Sequence, residues 1–262
     1  MSMHRNILPK DILNTELKAL TEKLFSDSKT IFTKKYDIAH PLNHYIDQTL
    51  LKAEATQKQI EELCVGARRH AFKAVCVQPH YLSKCKELLR GTNVLPITVV
   101  GFPLGANNTS TKVFEAQYAV GQGAKEIDMV INISALKSGE YDFVFQDIRQ
   151  VVQAAQGTPV KVIVETAYLT QEEKIFLCAA VQLSGAKYIK TSTGFAPTHA
   201  QIEDIKLFKS LLNEKIKVKA SGGIKTLEQA KAFIEAGADR IGTSSGIEII
   251  KYESGDSENK DY

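Results

Sequence analysis

The sequence predicts an α/β fold in which eight strands and the helices between them close into a (β/α)8 barrel, preceded by an extra N-terminal helix. Three observations predict it. Short apolar segments alternate with amphipathic ones along most of the chain, and strict alternation of strand and helix is typical of a parallel sheet. A Gly-Ala phrase recurs where amphipathic segments end. The length of 262 residues matches the usual size of such a barrel.

A helical stripe precedes the first strand. Leu13, Leu17, Leu20 and Leu24 recur at the spacing of one helix face. We expect this helix to cover one end of the barrel, and a contact with a second subunit is the alternative.

Eight short segments, several of them rich in β-branched residues, have the character of strands buried on both faces. They lie at Tyr45–Asp47, Ala74–Val77, Ile97–Val100, Glu126–Ile131, Val160–Glu165, Tyr188–Lys190, Lys217–Lys219 and Arg240–Gly242. Eight units of this length favour a closed TIM barrel over an open doubly wound sheet. No G-x-G-x-x-G phrase follows an early strand, which argues against a dinucleotide-binding fold.

The helices between the strands are marked at both ends. A threonine followed three residues later by glutamine or glutamate is typical of a capping box at a helix start. We predict such boxes at Thr56, Thr170, Thr198 and Thr226. A glycine just beyond the last helical residue supplies a left-handed cap. The glycines in this position are Gly123, Gly185 and Gly237.

These elements divide the chain into three parts. Residues 1–37 form an extension with one predicted helix, residues 38–252 form the barrel, and residues 253–262 form a polar tail that we expect to be flexible.

Composition excludes several classes of partner. Apolar residues make up 44% of the chain and charged residues 24%, and the net charge is +3, so we expect neither nucleic acid nor a membrane as partner. No apolar run approaches the ~20 residues of a membrane span, and the N-terminus lacks a signal-peptide pattern. The four cysteines form no C-x-x-C pair and the six histidines form no ligand cluster. We therefore expect a reduced cytoplasmic protein without metal or cofactor.

Two lysines are predicted at the carboxyl ends of strands, where parallel α/β folds bind ligands. Lys190 and Lys219 are each followed by a loop of small residues that contains glycine. A lysine must be neutral to attack a carbonyl group, and burial or a second cation lowers its pKa. We therefore infer a catalytic pair in which one lysine tunes the other. Lys161 and Lys217 lie at strand starts, and we expect them to be ordinary solvated lysines.

Asp128 is the third candidate catalytic residue. It lies between Ile127 and Met129, so we expect it to be part-buried. Buried carboxylates are rare unless they are paired or functional. A salt bridge that closes the barrel and an acid beside the two lysines both explain it, and the two explanations describe one cluster if the lysines lie nearby.

Loops rich in glycine and serine follow the sixth, seventh and eighth strands, where barrels often hold phosphate at the start of a short helix. We predict that helix at Ile247–Lys251. The candidate substrate-binding residues at the strand ends and in these loops are Asp47, Cys76, Thr193, Gly194, Gly222, Gly223, Lys225, Gly242, Ser244 and Ser245.

Four phrases together resemble the deoxyribose-phosphate aldolases, a family of class I aldolases. They are GFPLGAN at 101–107, EIDMV at 126–130, KTSTGF at 190–195 and VKASGGI at 218–224. The resemblance implies a (β/α)8 fold and reversible cleavage of 2-deoxy-D-ribose 5-phosphate to D-glyceraldehyde 3-phosphate and acetaldehyde, in deoxyribose catabolism. It also implies that Lys190 forms a Schiff base, that Lys219 tunes it, and that Asp128 transfers protons.

The chain departs from that family at several positions. Gln48 stands where the family usually has histidine, Gln78 where it has asparagine, and Phe195 where some members have lysine. Two alternatives stay open: a phosphate-binding isomerase or synthase without a Schiff base, and a non-catalytic barrel that binds a phosphosugar. We expect a small phosphosugar as substrate and a homodimer as the assembly.

Overall fold

The computed structural model describes residues 12–30 and 34–254. Eight parallel strands follow one another around a closed barrel, and the last strand pairs with the first. They are β1 Ile46–Leu50, β2 Ala74–Val77, β3 Leu95–Val100, β4 Glu126–Val130, β5 Val160–Ile163, β6 Tyr188–Lys190, β7 Lys217–Ser221 and β8 Arg240–Thr243. The predicted (β/α)8 barrel is therefore confirmed.

The strands lie where they were predicted, with small shifts at their ends. Strand β1 begins at Ile46 because Tyr45 closes a short 3-10 turn at Leu42–Tyr45. Strand β5 ends at Ile163, two residues earlier than expected. Glu165 has a φ of 54°, a left-handed conformation that turns the chain out of the sheet.

Helices flank the strands on the outside of the barrel. In the described part of the chain they are α1 Thr15–Asp27, α2 Gln57–Arg69, α3 Leu82–Leu88, α4 Thr109–Gln122, α5 Ile133–Lys137, α6 Tyr141–Ala154, α7 Gln171–Ser184, α8 Ile202–Leu211, α9 Leu227–Glu235 and α10 Gly246–Ser254. Helix α10 reaches into the predicted tail, and the rest of that tail, with Tyr262, lies outside the described residues. None of the described helices is long and apolar enough to cross a membrane.

The local signals for helix ends are largely confirmed. The capping boxes at Thr56, Thr170 and Thr226 each have both of their reciprocal hydrogen bonds. Gly123 and Gly185 are left-handed caps with φ of 97° and 85°, and Gly237 follows α9 with a φ of 113°. These conformations favour glycine because it has no Cβ.

The capping box predicted at Thr198 is wrong. Helix α8 begins at Ile202, and its first cap residue, Gln201, makes no side-chain cap. His199 lies so close to Gly223 that a Cβ on that glycine would come within 2.6 Å of the imidazole. Packing against the loop after β7 therefore holds the segment around residue 198 away from a helical conformation.

The N-terminal helix packs along the outside of the barrel and not across an end. Helix α1 lies against α7 with Leu17 and Leu24 buried, whereas Leu13 precedes the helix and is exposed. The backbone amides of Leu13 and Asn14 donate hydrogen bonds of 2.7 and 2.9 Å to Asp142 at the start of α6. Helix α7 is accordingly apolar on nearly all sides, as expected for a helix covered both inside and outside.

Two kinds of packing fill the molecule. A large apolar cluster lies between the strands and the outer helices. A second cluster of Leu51, Ala74, Cys76, Ile97 and Val99 fills one side of the barrel interior. Charged side chains occupy the rest of that interior, and they carry the candidate site.

Candidate active site

A cavity of about 320 Å³ opens at the carboxyl ends of the strands, between the loops after β1, β6, β7 and β8. Eight of the residues predicted from the sequence line it: Lys190, Thr193, Gly194, Gly222, Gly223, Lys225, Gly242 and Ser244. Lys52 and Phe195 also line it and were not among the predicted site residues. A larger groove between α2 and α10 contains none of the predicted site residues.

Lys190 lies at the floor of this cavity, at the end of β6. The strand register places it directly beside Lys219 on β7. Both amines bind the same oxygen of Asp128: Oδ2 lies 2.9 Å from the Nζ of Lys190 and 2.8 Å from the Nζ of Lys219. The three predicted catalytic residues therefore form one buried cluster, although they come from three different strands.

A third lysine completes this cluster and was missed. Lys161 is fully buried, and its Nζ donates to Asp128 Oδ1 over 2.8 Å. The expectation that Lys161 is solvated is wrong, because the residue paired with Asp128 in the strand register also points into the barrel. The signal was available, since Lys161, like Asp128, is flanked by apolar residues on both sides. Lys217 is exposed, as expected.

The pKa values of Lys190 and Lys219 are shifted in opposite directions. Burial lowers the pKa of Lys190, the charge of Lys219 lowers it further, and the attraction of Asp128 only partly opposes them. Burial also acts to lower the pKa of Lys219, but Asp128 and Asp47 outweigh it and raise that pKa above its ordinary value. Lys190 is thus the amine that is more easily neutral, and Lys219 stays an ammonium ion.

Asp128 and Asp47 stay ionised in this setting. Burial alone would raise the pKa of Asp128, but Lys161, Lys190 and Lys219 hold it well below 3.8. Burial would likewise raise the pKa of Asp47, but Arg240 and Lys219 lower it to about 2. Asp47 does not line the cavity, since it lies beneath the floor between those two cations.

Cys76 also lies beneath the floor. It is fully buried on β2, and burial raises the pKa of its thiol to about 11. Its thiol is therefore neutral and lies beside the cluster of charged residues.

Glu165 is a further residue that sequence reasoning noted only as a strand end. Its Oε2 accepts a 3.1 Å hydrogen bond from the backbone amide of Thr193 and another from the Thr193 hydroxyl. That hydroxyl in turn accepts from the amide of Phe195 over 3.1 Å. Burial raises the pKa of Glu165, and the bonds from Thr193 oppose the rise. Glu165 therefore anchors the loop that follows Lys190.

The loops after β7 and β8 present backbone amides to the cavity. The amides of Gly222, Gly223 and Ser244 donate no hydrogen bond to any other residue that the structure describes. Gln48 holds the start of α10, with its amide nitrogen donating to the Ser244 carbonyl and its oxygen accepting from the Gly246 amide, both over 3.0 Å.

Ser245 does not line the cavity, and its amide donates to the Thr243 hydroxyl over 2.9 Å. The candidate anion-binding features are therefore Ser244, the two glycines and the start of α10. Among the described residues, no group of three or more potential ligands could hold a metal ion.

Comparisons with known proteins agree with this geometry. The model of the DeoC/LacD family aldolases matches residues 42–252. A deoxyribose-phosphate aldolase of Bdellovibrio bacteriovorus is 53% identical over 210 residues, which cover 80% of this chain and 96% of that protein.

Solved structures agree as well. A putative deoxyribose-phosphate aldolase from Coccidioides immitis has a TM-score of 0.86 at 38% identity, covering 92% of this chain and 99% of that chain. A tetrameric deoxyribose phosphate aldolase from Aeropyrum pernix has a TM-score of 0.74 at 30% identity, covering 94% and 99%. The chain therefore belongs to the DeoC/LacD family of aldolases and is a lyase.

Proposed function

We propose that this enzyme cleaves 2-deoxy-D-ribose 5-phosphate reversibly to D-glyceraldehyde 3-phosphate and acetaldehyde, through a Schiff base on Lys190. The observation that carries the proposal is a buried amine with a lowered pKa at the floor of a cavity, beside a carboxylate and a second, charged lysine. The names of the relatives support the same substrate.

The reaction begins at the open-chain aldehyde of the sugar. The neutral amine of Lys190 attacks carbon 1, and loss of water leaves an iminium ion that withdraws electrons from carbon 2. The bond between carbons 2 and 3 then breaks as the carbon 3 hydroxyl loses its proton, which releases glyceraldehyde 3-phosphate. The enamine left on Lys190 is protonated at carbon 2, and water releases acetaldehyde and the free amine.

We propose that Asp128 and Lys219 move these protons. Asp128 Oδ2 contacts both amines, so a proton can pass between substrate, carboxylate and Lys219 without leaving the buried cluster. The lowered pKa of Asp128 means that it starts the cycle as a base. No metal is required, because the iminium ion is itself the electron sink.

The phosphate is proposed to bind at the amides of Gly222, Gly223 and Ser244. The start of α10 adds a favourable helix dipole, and Lys52 and Lys225 line the same cavity with positive charge. Phe195, where some relatives have lysine, instead contacts Phe102 edge-to-face with ring centres 5.4 Å apart.

The remaining parts of the proposal concern the whole chain. We propose residues 38–252 as the catalytic barrel, and the family match to residues 42–252 supports these bounds. We also propose a role in deoxyribose catabolism in the cytoplasm and a homodimeric assembly, although the Aeropyrum pernix relative is tetrameric.

Reductive trapping tests the proposed function. Borohydride with acetaldehyde should modify Lys190 stoichiometrically, and peptide mapping should locate the adduct there. Lys217→Met, which removes an exposed lysine, serves as the matched control and should leave trapping unchanged. An adduct on Lys219 would reverse the two lysine roles. An isomerase, a synthase or a binding barrel without Schiff-base chemistry would give no adduct.

A further inference from the structure

Six buried charged side chains form a closed ring inside the barrel, here called the charge ring. Its members in order are Asp128, Lys219, Asp47, Arg240, Glu126 and Lys161. Acid and base alternate around it, and each member is at most 6% exposed.

Each carboxylate of the charge ring lies between two cations. Asp128 binds Lys219 and Lys161, each over 2.8 Å. Glu126 lies 2.5 Å from the Lys161 amine and 3.0 Å from Arg240.

Asp47 closes the ring on its other side. It accepts from the Arg240 Nε over 2.8 Å and lies 2.6 Å from the Lys219 amine. Arg240 therefore lies opposite Asp128 in the ring. The ring runs from the amino-terminal starts of β4 and β8 to the floor of the active site.

The charges within the ring balance. Three carboxylates face three cations, so the ring is neutral as a whole when all six are ionised. Lys190 stands outside it as a fourth basic group, and its one ion-pair contact with the ring is with Asp128. If Lys190 were an ammonium ion, the ring and Lys190 together would carry one net positive charge, which is costly in a buried setting.

We propose that the charge ring as a whole keeps Lys190 uncharged, and that Glu126 and Arg240 are positioning residues for the reaction. This inference rests on the proposed Schiff-base role of Lys190. Glu126 and Arg240 act through charge balance, since their ion pairs are with Lys161, Asp47 and each other and not with Lys190.

The directions of the shifts inside the barrel agree with this charge count. Burial opposes the charged form of Arg240, but Asp47 and Glu126 outweigh it and raise its pKa. The other ionisable groups around the ring and Lys190, besides the ring members themselves, are Cys76, Glu165, Tyr188, Lys52 and Lys225. Cys76 stays neutral because of its raised pKa. Glu165 is not a member of the ring but interacts with Lys190, whose charge lowers the pKa of Glu165, so the count of charges is made for the ring and Lys190 alone.

The proposal can be tested by changing the charge count at the two remote members. Arg240→Met leaves the ring one negative charge in excess, so an ammonium ion at Lys190 would restore balance. The pH midpoint of reductive trapping should then move to more alkaline pH. Glu126→Gln leaves one positive charge in excess, and the midpoint should move to more acidic pH. We expect each shift to be about one pH unit.

The double variant Glu126→Gln/Arg240→Met is the decisive comparison. It removes a contacting pair and leaves the ring neutral, so its midpoint should return to the wild-type value. Glu126→Asp keeps the charge and should also keep the midpoint. Lys217→Met removes an exposed lysine from the start of β7 and controls for the net charge of the whole protein.

A role limited to stability would give a different result. The single variants would then melt at lower temperature but show the wild-type midpoint, and this would overturn the proposal. If Arg240→Met fails to fold, the two Glu126 variants still test the proposal. The pH midpoint of trapping should move to more acidic pH in Glu126→Gln and stay unchanged in Glu126→Asp.

A second measurement separates this proposal from the proposed function. Acetic anhydride acetylates neutral amines whatever the enzyme's activity, so the extent of labelling at Lys190 against pH reports the same midpoint. If no acetaldehyde adduct forms, the Schiff-base function fails, and the labelling midpoints of the variants still test the charge ring. If adducts form and the midpoints coincide in all variants, the charge ring fails alone.

Discussion

Lys190 and Lys219 are chemically identical and adjacent, yet their surroundings shift their pKa values in opposite directions. The amine of Lys190 contacts one carboxylate, and that carboxylate is shared. The amine of Lys219 contacts two, Asp128 and Asp47, at 2.8 and 2.6 Å. At Lys219, one additional buried carboxylate is therefore enough to offset the burial that makes the ammonium form unfavourable. Of these two lysines, only Lys190 has a lowered pKa.

Replacing Lys219 tests this division at the residue scale. Lys219→Met removes the cation and keeps much of the apolar stem, so the pKa of Lys190 should rise and Schiff-base formation should need more alkaline pH. The measurement is the rate of borohydride trapping against pH in the variant and the wild type. Coincident profiles would show that Lys219 serves the substrate and does not tune Lys190.

Asp128→Asn tests proton transfer. General acid–base groups typically contribute about 10²–10⁴-fold, so we expect kcat to fall within that range while the fold is kept. Because Asp128 raises the pKa of Lys190, the midpoint for trapping should move to more acidic pH in the same variant. An unchanged kcat would reduce Asp128 to a structural ion pair.

At the scale of elements, strand ends and loops form the candidate substrate cavity. The turn after β5 brings Glu165 under the loop that follows β6, where it holds the amide and hydroxyl of Thr193. The loop after β8 and the start of α10 are held by Gln48 from β1. Neighbouring strands thus stabilise the loops that form the walls of the cavity.

Glu165→Ala should loosen the loop after β6. It leaves the buried amide of Thr193 without its acceptor, which typically costs about 1–3 kcal/mol, and we expect KM to rise roughly tenfold or more. Glu165→Gln keeps an acceptor oxygen and should stay close to the wild type if the role is positional. Equal losses in both variants would instead show that the acid group itself is needed. Steady-state kinetics of the two variants distinguish a positional role of Glu165 from a need for its acid group.

The phosphate site is tested at the start of α10. Ser244→Asp places a carboxylate beside the proposed phosphate and should repel it, so KM should rise strongly for deoxyribose 5-phosphate and much less for unphosphorylated deoxyribose. An equal effect on both sugars would place the phosphate elsewhere. The same substitution at Ser245, which does not line the cavity, should have the smaller effect.

At the scale of the molecule, the charged interior links stability to pH. The pKa of Asp47 falls from its ordinary value of 3.8 to about 2 in the folded protein. Its ionised form therefore stabilises the fold fully above about pH 3.8, and this contribution is lost as the pH falls towards 2. Asp128 acts in the same direction, since its pKa is also lowered.

Urea unfolding between pH 7 and pH 2 measures this linkage. We expect the free energy of unfolding to decrease steeply over the acidic part of the range in the wild type. Asp47→Asn removes one of the two linked carboxylates, so its unfolding free energy should be lower at neutral pH and depend less on pH below 4. Parallel curves for the two proteins would mean that Asp47 is not linked to folding in this way.

Local sequence patterns predict much of the framework. Three capping threonines, three left-handed glycines and the eight strand positions depend on hydrogen bonds and patterns within a few residues, so they were readable in the chain. The three candidate catalytic residues were also readable, because lysines at strand ends and an aspartate in an apolar strand are unusual wherever they occur. The order of strand and helix then required a parallel barrel.

The pairing of the buried charges, in contrast, depends on the tertiary structure. Arg240 and Glu126 are 114 residues apart and belong to β8 and β4, opposite strands that meet only because the barrel closes on itself. The same closure buries Lys161. Its position at a strand start had predicted a solvated side chain. Strand patterns show which side chains share a face of a strand. The ion-pair partner of a side chain across a closed barrel depends on the register of all eight strands together, and no local signal carries that information.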